Sequence, residues 1–224
     1  MNRGNPEAVA IAVFAKAPLP GHAKTRLIPV LGSQGAADLQ RAFVLRTLET
    51  AVAAAVGPVS LWCAPDCSHE LFGHCRERFG AALRPQTSGD LGQRMRAALA
   101  ELCRQGPALL IGTDCPAMAP AHLRAAAAAL RQGSDAVFLP AEDGGYVLVG
   151  VRRAEPWLFG DMPWGGSAVM AETRRRMRQA GWRWAEPALL WDVDRPEDWR
   201  RLERAGLMAV TPGGVDAASA AGAG

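Results

Sequence analysis

The chain has 224 residues and a hydrophobic content of 49%, enough for one large domain or two small ones with a sizeable core. A formal charge of +3, carried by scattered rather than massed arginines, gives no nucleic-acid stripe, and no apolar run of about 18 residues offers a membrane span. The first apolar run is too short and too soon followed by Lys16 for a signal peptide, and five cysteines without a CxxC pair read as reduced thiols, so a cytoplasmic protein is expected.

In chain order, AVAIAVF (Ala8–Phe14) reads as a buried strand that runs into AKAPLPGHAKTRL. That loop places Lys16, His22, Lys24 and Arg26 within eleven residues, which suggests an anionic ligand such as phosphate. It is not a Walker loop, because Ala23 rather than glycine precedes Lys24 and no glycine stands five residues before Ala23. A helix is predicted over 34–55 and a strand over 59–63. CAPDCSHELFGHC (Cys63 to Cys75) then offers three cysteines and two histidines at a spacing that matches no zinc pattern, so core and surface thiols are the better reading.

QTSGDLGQRM (Gln86 to Met95) leads into a helix predicted over 91–104. Asp90 is either its N-cap or, with Gly89 and Gly92, part of a backbone that approaches a base or ribose; Arg94 is poorly placed for the helix dipole and favours the second use. The predicted strand 108–112 ends in GTDCP, where Asp114 suits a metal-coordinating carboxylate held at a fixed point or a capped turn into a helix over 119–131. Strands over 135–139 and 146–151 are joined by AEDGG, so an antiparallel pair is expected to interrupt an otherwise parallel order. Glu142 and Asp143 there, with Gly144, Gly145 and Tyr146, make a substrate-side turn. In DMPWGGSAV, Trp164 either stacks on substrate as part of a lid or belongs to a capping turn before a helix over 167–180. WDVDRPEDW carries Asp192 and Asp194, one of which is expected on the rim, while Asp198 suits the start of a helix over 196–205. From Thr211 onward the chain is made of small residues and poor in large apolar ones, and a disordered tail over 211–224 is expected after one domain over 1–210.

Short apolar runs separated by helices define an α/β class with buried parallel strands, and ligands of such sheets lie beyond the carboxyl ends of the strands. One cationic and three acidic loops would then meet on a single rim, a combination that suits phosphates bridged by a divalent ion.

FAKAPLPGHAKTRL, GDLGQRM, GTDCP, PAEDGGYVLVG and WDVDRPEDW, taken together and in this order, resemble a bacterial glycosyltransferase-like family related to 2-phospholactate guanylyltransferase, some of whose members are named as arsenosugar-biosynthesis glycosyltransferases or as partners of radical-SAM proteins. The likeness runs from about Ala10 to Leu202. It implies the GT-A (nucleotide-diphospho-sugar transferase) fold, a three-layer sandwich with helices on both faces of a mainly parallel sheet, and Mg²⁺ or Mn²⁺ as cofactor. Carried over by residue, it implies that Ala15, Lys16, Gly21, Lys24, Thr25 and Arg26 cover nucleotide phosphates, with Thr113 nearby. Gly89, Asp90, Gly92 and Arg94 would sit by the base, Asp114 would bind metal, and Asp194 would be a second metal ligand. The chain departs from the family pattern at GTDCP, which has one aspartate where GT-A glycosyltransferases carry Asp-x-Asp.

Two enzyme readings follow. In glycosyl transfer, a nucleotide-sugar donates to a small-molecule acceptor oriented or deprotonated by Glu142 or Asp143. In nucleotidyl transfer, an acceptor phosphate attacks a nucleoside triphosphate, with Lys16, Lys24 and Arg26 stabilising the charge. A non-catalytic nucleotide-binding module is the third reading. No nucleic-acid or membrane partner is expected, and a homodimer is left open.

Overall fold

The computed structural model describes residues 8–207, 209–211 and 214–216. Seven strands form one sheet: β1 (Ala10–Lys16), β2 (Val59–Ala64), β3 (Ala82–Pro85), β4 (Ala108–Ile111), β5 (Ala136–Pro140), β6 (Tyr146–Val151) and β7 (Trp184–Ala185). Their order is β3-β2-β1-β4-β6-β5-β7. Every pairing is parallel except those of β6, which runs antiparallel to both β4 and β5. The AEDGG turn allows this: it reverses the chain within a few residues, so β6 slots between β5 and β4 and displaces β5 outward. The expected antiparallel pair is present.

The helices are α1 (Ile28–Ala54), α2 (Glu70–Phe79), α3 (Leu91–Leu102), α4 (Pro120–Arg131), α5 (Pro156–Phe159), α6 (Val169–Gln179) and α7 (Pro196–Ala205). Val44 and Leu48 of α1, Phe72 of α2 and Leu123 of α4 pack with Ile11, Val13 and Leu109 on one face of the sheet. On the other face Met95 and Leu99 of α3, Phe159 of α5 and Met177 of α6 pack with Ala12, Leu110 and Phe138. The result is the expected three-layer α/β sandwich. Because both faces are covered, the central strands must be apolar at consecutive positions, and every residue of β4 and β5 is buried. A third cluster, in which Leu39 and Phe43 meet Trp199 and Leu202, anchors α7 to α1.

Sequence periodicity did not show β3, β7, α2 or α5. β3 and β7 lie at the two ends of the strand order and are short, and β3 carries no fully buried residue, so neither has an apolar run to betray it. α1 begins earlier than expected and is broken at Gly32 (φ 70°). Of the tail, Gly214–Asp216 pairs antiparallel with Ala209–Thr211 in a separate two-stranded sheet, and the rest of the expected disordered segment lies outside the described residues. Among the described residues no helix is long and apolar enough to cross a membrane.

Candidate active site

The strand order reverses between β1 and β4, and at such a switch point the loops leaving the two carboxyl ends diverge to opposite faces and leave a crevice. A cleft of about 620 Å³ opens there. Lys16, His22, Lys24 and Arg26 line it from the loop after β1, Gln86 and Arg94 from around the start of α3, and Asp114 from the end of β4. A hollow of about 370 Å³ at the other end of the strands, between Ser60, Arg84 and Glu101, gathers no comparable charge among the described residues: its Arg84 and Glu101 are paired with each other.

Lys24 fixes the centre of the cleft. Its side chain is only 4% exposed, and its ammonium donates to the Val193 carbonyl and to Asp114 Oδ1, both at 2.7 Å. The Phe43 ring lies beneath it, 5.3 Å from Nζ. The backbone at Lys24 is left-handed (φ 47°), an arrangement that costs a non-glycine residue about 1 kcal/mol and is held here by the contacts of the ammonium. Val193 N–H donates to the Asp114 carbonyl at 2.8 Å, so three segments distant in sequence are knotted at one point. Gln40 of α1 is buried and donates to the Lys16 carbonyl and to Thr113 Oγ1, both at 3.3 Å, tying the ends of β1 and β4 together. The Thr113 hydroxyl in turn donates to Asp114 Oδ1 at 3.3 Å.

The cationic loop pattern assigns Lys24 to phosphate; in the structure Lys24 lines the cleft with its ammonium engaged by Asp114 and the Val193 carbonyl. Among the described residues Lys16 holds only the His22 carbonyl, at 2.8 Å, and Arg26 is ion-paired with Asp194 on the exposed rim. Ala15 and Thr25 also line the cleft, and Gly21 (φ 79°) turns the loop.

Of the two acids that the sequence left open on this side, Asp194 lines the main cleft and is ion-paired with Arg26, whereas Asp192 joins Asp114 in lining a second, smaller cavity that opens off the cleft. Burial raises the Asp192 carboxyl to about 6, with the neighbouring charges of Asp143 and Asp114 adding to the shift and its own backbone N–H and Lys24 opposing it. The unfolded value is 3.8, so between pH 4 and 6 the folded chain retains a proton that the unfolded chain has lost. Stability from this group therefore falls as pH rises through that window, and the penalty is complete above it. Asp192→Asn is expected to raise Tm at about pH 7.5 and to leave it unchanged near pH 4, as scanning calorimetry at the two pH values would show. A Tm gain equal at both pH values would mean the carboxylate is not crowded.

Other predicted residues fall elsewhere. Asp90 caps α3: its carboxylate accepts from Gln93 N–H at 2.8 Å while the Gln93 side chain accepts from Asp90 N–H at 2.9 Å. Gly92 is required by packing, because a Cβ there would lie 2.7 Å from Trp164 Nε1. Neither these two nor Gly89 lines the cleft, whereas Arg94 does and donates to Gln86 Oε1 at 3.1 Å. Asp90→Ala is expected to cost about 1 kcal/mol in a denaturant titration, with nucleotide binding unchanged.

Glu142 is held by Arg201 of α7 at 2.6 and 3.0 Å, which keeps its carboxyl below the usual range, and it lines neither cavity. Asp143 stays near Asp192 and accepts from Gly145 N–H at 2.9 Å in a tight turn. Trp164 packs edge-on to Tyr146 rather than facing either cavity, and its buried indole N–H has no hydrogen-bond partner among the described residues. Gly144 (φ 93°) lies against the Ser167 backbone, so the hairpin and the 161–168 loop dock directly on each other.

The cysteines are unpaired, and burial raises the thiols of Cys63, Cys75 (to about 11) and Cys115 (to about 12), which makes them poor nucleophiles. His69 caps α2 through Nδ1. Among the described residues no three His, Cys, Asp or Glu side chains gather to hold a metal, the Cys63–Cys75 segment included.

The fold defines the class: a nucleotide-diphospho-sugar transferase fold, an architecture of transferases, here with a charged cleft at the switch point. The chain belongs to a bacterial family described as "Uncharacterized protein conserved in bacteria (DUF2064)", whose model matches residues 47–166. No curated protein matches it. Among solved structures it is similar to a "putative nucleotide-diphospho-sugar transferase" from Desulfovibrio desulfuricans G20, with 30% identity, 88% of this chain and 87% of that one covered, and a TM-score of 0.79. Its fold is also similar to that of a CMP:2-keto-3-deoxy-manno-octonic acid synthetase complexed with CTP (12% identity, 88% and 98% covered, TM-score 0.57). A Mycobacterium tuberculosis H37Rv protein in complex with manganese is similar as well (19% identity, 87% and 98% covered, TM-score 0.50).

Proposed function

We infer that the chain is a metal-dependent glycosyltransferase acting on a nucleotide-sugar donor and a small-molecule acceptor. The observation that carries this reading is the convergence of Lys16, Arg26 and Arg94 on the lysine-anchored Asp114 in one cleft. Lys16 and Arg26 spend their charge on one carbonyl and one exposed carboxylate, partners that a diphosphate readily replaces.

The donor set suits a hard divalent ion. The protein offers two carboxylates, Asp114 and Asp192, and no third ligand beside them among the described residues; these two would hold Mg²⁺ or Mn²⁺, ions that leave the rest of their ligand set to substrate and water. Like-charge crowding at Asp192 is what a cation would relieve. Asp192, at the smaller cavity beside Asp114, is assigned the second metal role here, with Asp194, on the cleft opposite Arg26, as the alternative. When bound, the ion supplies charge neutralisation of the diphosphate leaving group. The acceptor oxygen bonds the anomeric carbon while the bond from that carbon to the diphosphate breaks; the nucleoside diphosphate leaves with the electron pair, and the acceptor proton passes to Asp143 or to water.

Nucleotidyl transfer is the second reading, favoured by one observation: Asp114 is followed by Cys115 and Pro116 rather than by a second aspartate. The finer likenesses divide along the same line, arsenosugar assembly with glycosyl transfer and 2-phospholactate guanylyl transfer with nucleotidyl transfer. A thermal-shift panel of nucleotide-sugars, nucleoside diphosphates and nucleoside triphosphates, each with and without Mn²⁺, tests both. A metal-dependent rise with a nucleotide-sugar or diphosphate but no triphosphate supports glycosyl transfer. A rise confined to one triphosphate replaces it with nucleotidyl transfer, and no rise at all removes both.

A further inference from the structure

The second cavity differs in character from the cleft it joins. It encloses about 300 Å³ between the sheet and α3, with walls from Phe14, Met95, Leu110, Tyr146 and Val149. Phe14, Leu91, Gly112 and Asp114 border both spaces, so the two connect at the carboxylate held by Lys24. Among the described residues no lysine, arginine or histidine lines the smaller cavity, and its two charged groups, Asp114 and Asp192, are both acids. Tyr146 finds no partner for its hydroxyl among the described residues, and burial keeps that hydroxyl protonated.

We propose that this cavity is the acceptor pocket and that it selects a neutral, mainly apolar alcohol over a carboxylate or phosphate. The proposal rests on the transferase reading and adds the chemical class of the second substrate. An anionic group placed among its apolar walls would lose its water and meet no lysine, arginine or histidine among the described residues, which disfavours it on desolvation grounds. An alkyl or aryl group replaces water against five apolar walls, the interaction that small-molecule pockets of this size rely on. Its hydroxyl, left at the mouth, lies beside Asp114, where the phosphate-side cleft begins. The two halves of the site thus sort the substrates by charge, the anionic donor to the cationic loop and the neutral acceptor to the acidic, greasy side.

The test uses two probes of one size and shape, benzyl alcohol and benzoate, observed by saturation-transfer NMR with the full chain. Benzyl alcohol is expected to bind and benzoate not. Met95→Trp, which fills the cavity from α3, is expected to weaken benzyl alcohol by roughly tenfold or more, the scale of a lost apolar subsite. Benzoate binding as well as benzyl alcohol, no binding of either, or undiminished alcohol binding by a folded Met95→Trp would each overturn the proposal. If that variant does not fold, the wild-type comparison of alcohol with acid decides alone. Nucleotide response is read separately by thermal shift: its failure with the alcohol still bound removes the transferase reading, and its persistence without alcohol binding removes only the acceptor assignment.

Discussion

Asp114→Ala is expected to reduce turnover of the responding nucleotide donor by roughly a hundred- to a thousandfold, the scale seen when one fixed electrostatic group is removed from an active site. Three features single out this carboxylate. It stands at the end of a fully buried strand, its carbonyl accepts from Val193 N–H, and its Oδ1 receives the Lys24 ammonium and the Thr113 hydroxyl. Among the described residues no other acid of the cleft is held from so many directions. The alanine variant also leaves Lys24, which is 4% exposed, with the Val193 carbonyl and the Phe43 ring among the described residues. Breaking a fully buried pair costs about 3–5 kcal/mol, and because the Asp114 side chain is 47% exposed the expected loss is smaller, about 1–2 kcal/mol. Asp114→Asn separates the two effects, since its amide oxygen still accepts from Lys24 while the negative charge is gone. Its Tm is expected near that of the wild type and its turnover near that of the alanine variant. An asparagine variant with wild-type turnover would place the chemistry elsewhere.

Gly144→Ala is expected to cost about 3 kcal/mol, the sum of overpacking and a left-handed backbone that alanine tolerates poorly. A Cβ at this position would stand 2.6 Å from the Ser167 carbonyl carbon and 2.8 Å from its Cα, so backbone rather than a rotatable side chain must give way. The hydrogen bond from Met170 N–H to the Gly144 carbonyl, 2.8 Å long, starts α6 and would be strained by the same displacement. For a chain of this size the loss corresponds to a Tm drop of roughly 6–12 °C. Gly165→Ala is the control. Its φ is +81°, but none of the described atoms lies within 4 Å of the place its methyl would take, so only the backbone term of about 1 kcal/mol applies. Equal losses in the two variants would show that the hairpin does not rest on the 161–168 loop.

Much of the fold was legible because its central strands are covered on both faces. That demand writes continuous apolar runs such as AVFLP and YVLVGV into the sequence, and the polar residues that follow each run mark the rim where ligands bind. Where burial is partial the signal fades. β3 shows no alternation and no buried residue, and α2, within the cysteine-rich segment, drew attention to its thiols rather than to its helical face. Asp90 illustrates a different limit: a capping aspartate and a ligand-facing one look alike in sequence, and the reciprocal bonds with Gln93 are visible only in three dimensions.

By itself the sequence determined the α/β class, the cationic loop after the first strand and the fixed acid after the fourth, because each is written in contiguous residues whose chemistry is local. Tertiary structure alone decided how these charges are used. Asp192 and Asp194 flank the buried Val193 on an extended segment, so a period of two puts both on one side and cannot choose between them. The choice is made by Val193, whose N–H and carbonyl lock onto Asp114 and Lys24 and leave Asp192 at the apolar cavity and Asp194 opposite Arg26. Likewise only the tertiary structure pairs Lys24 with Asp114 and the Val193 carbonyl, because these partners come from segments some 90 and 170 residues away, a separation over which local sequence carries no geometric information.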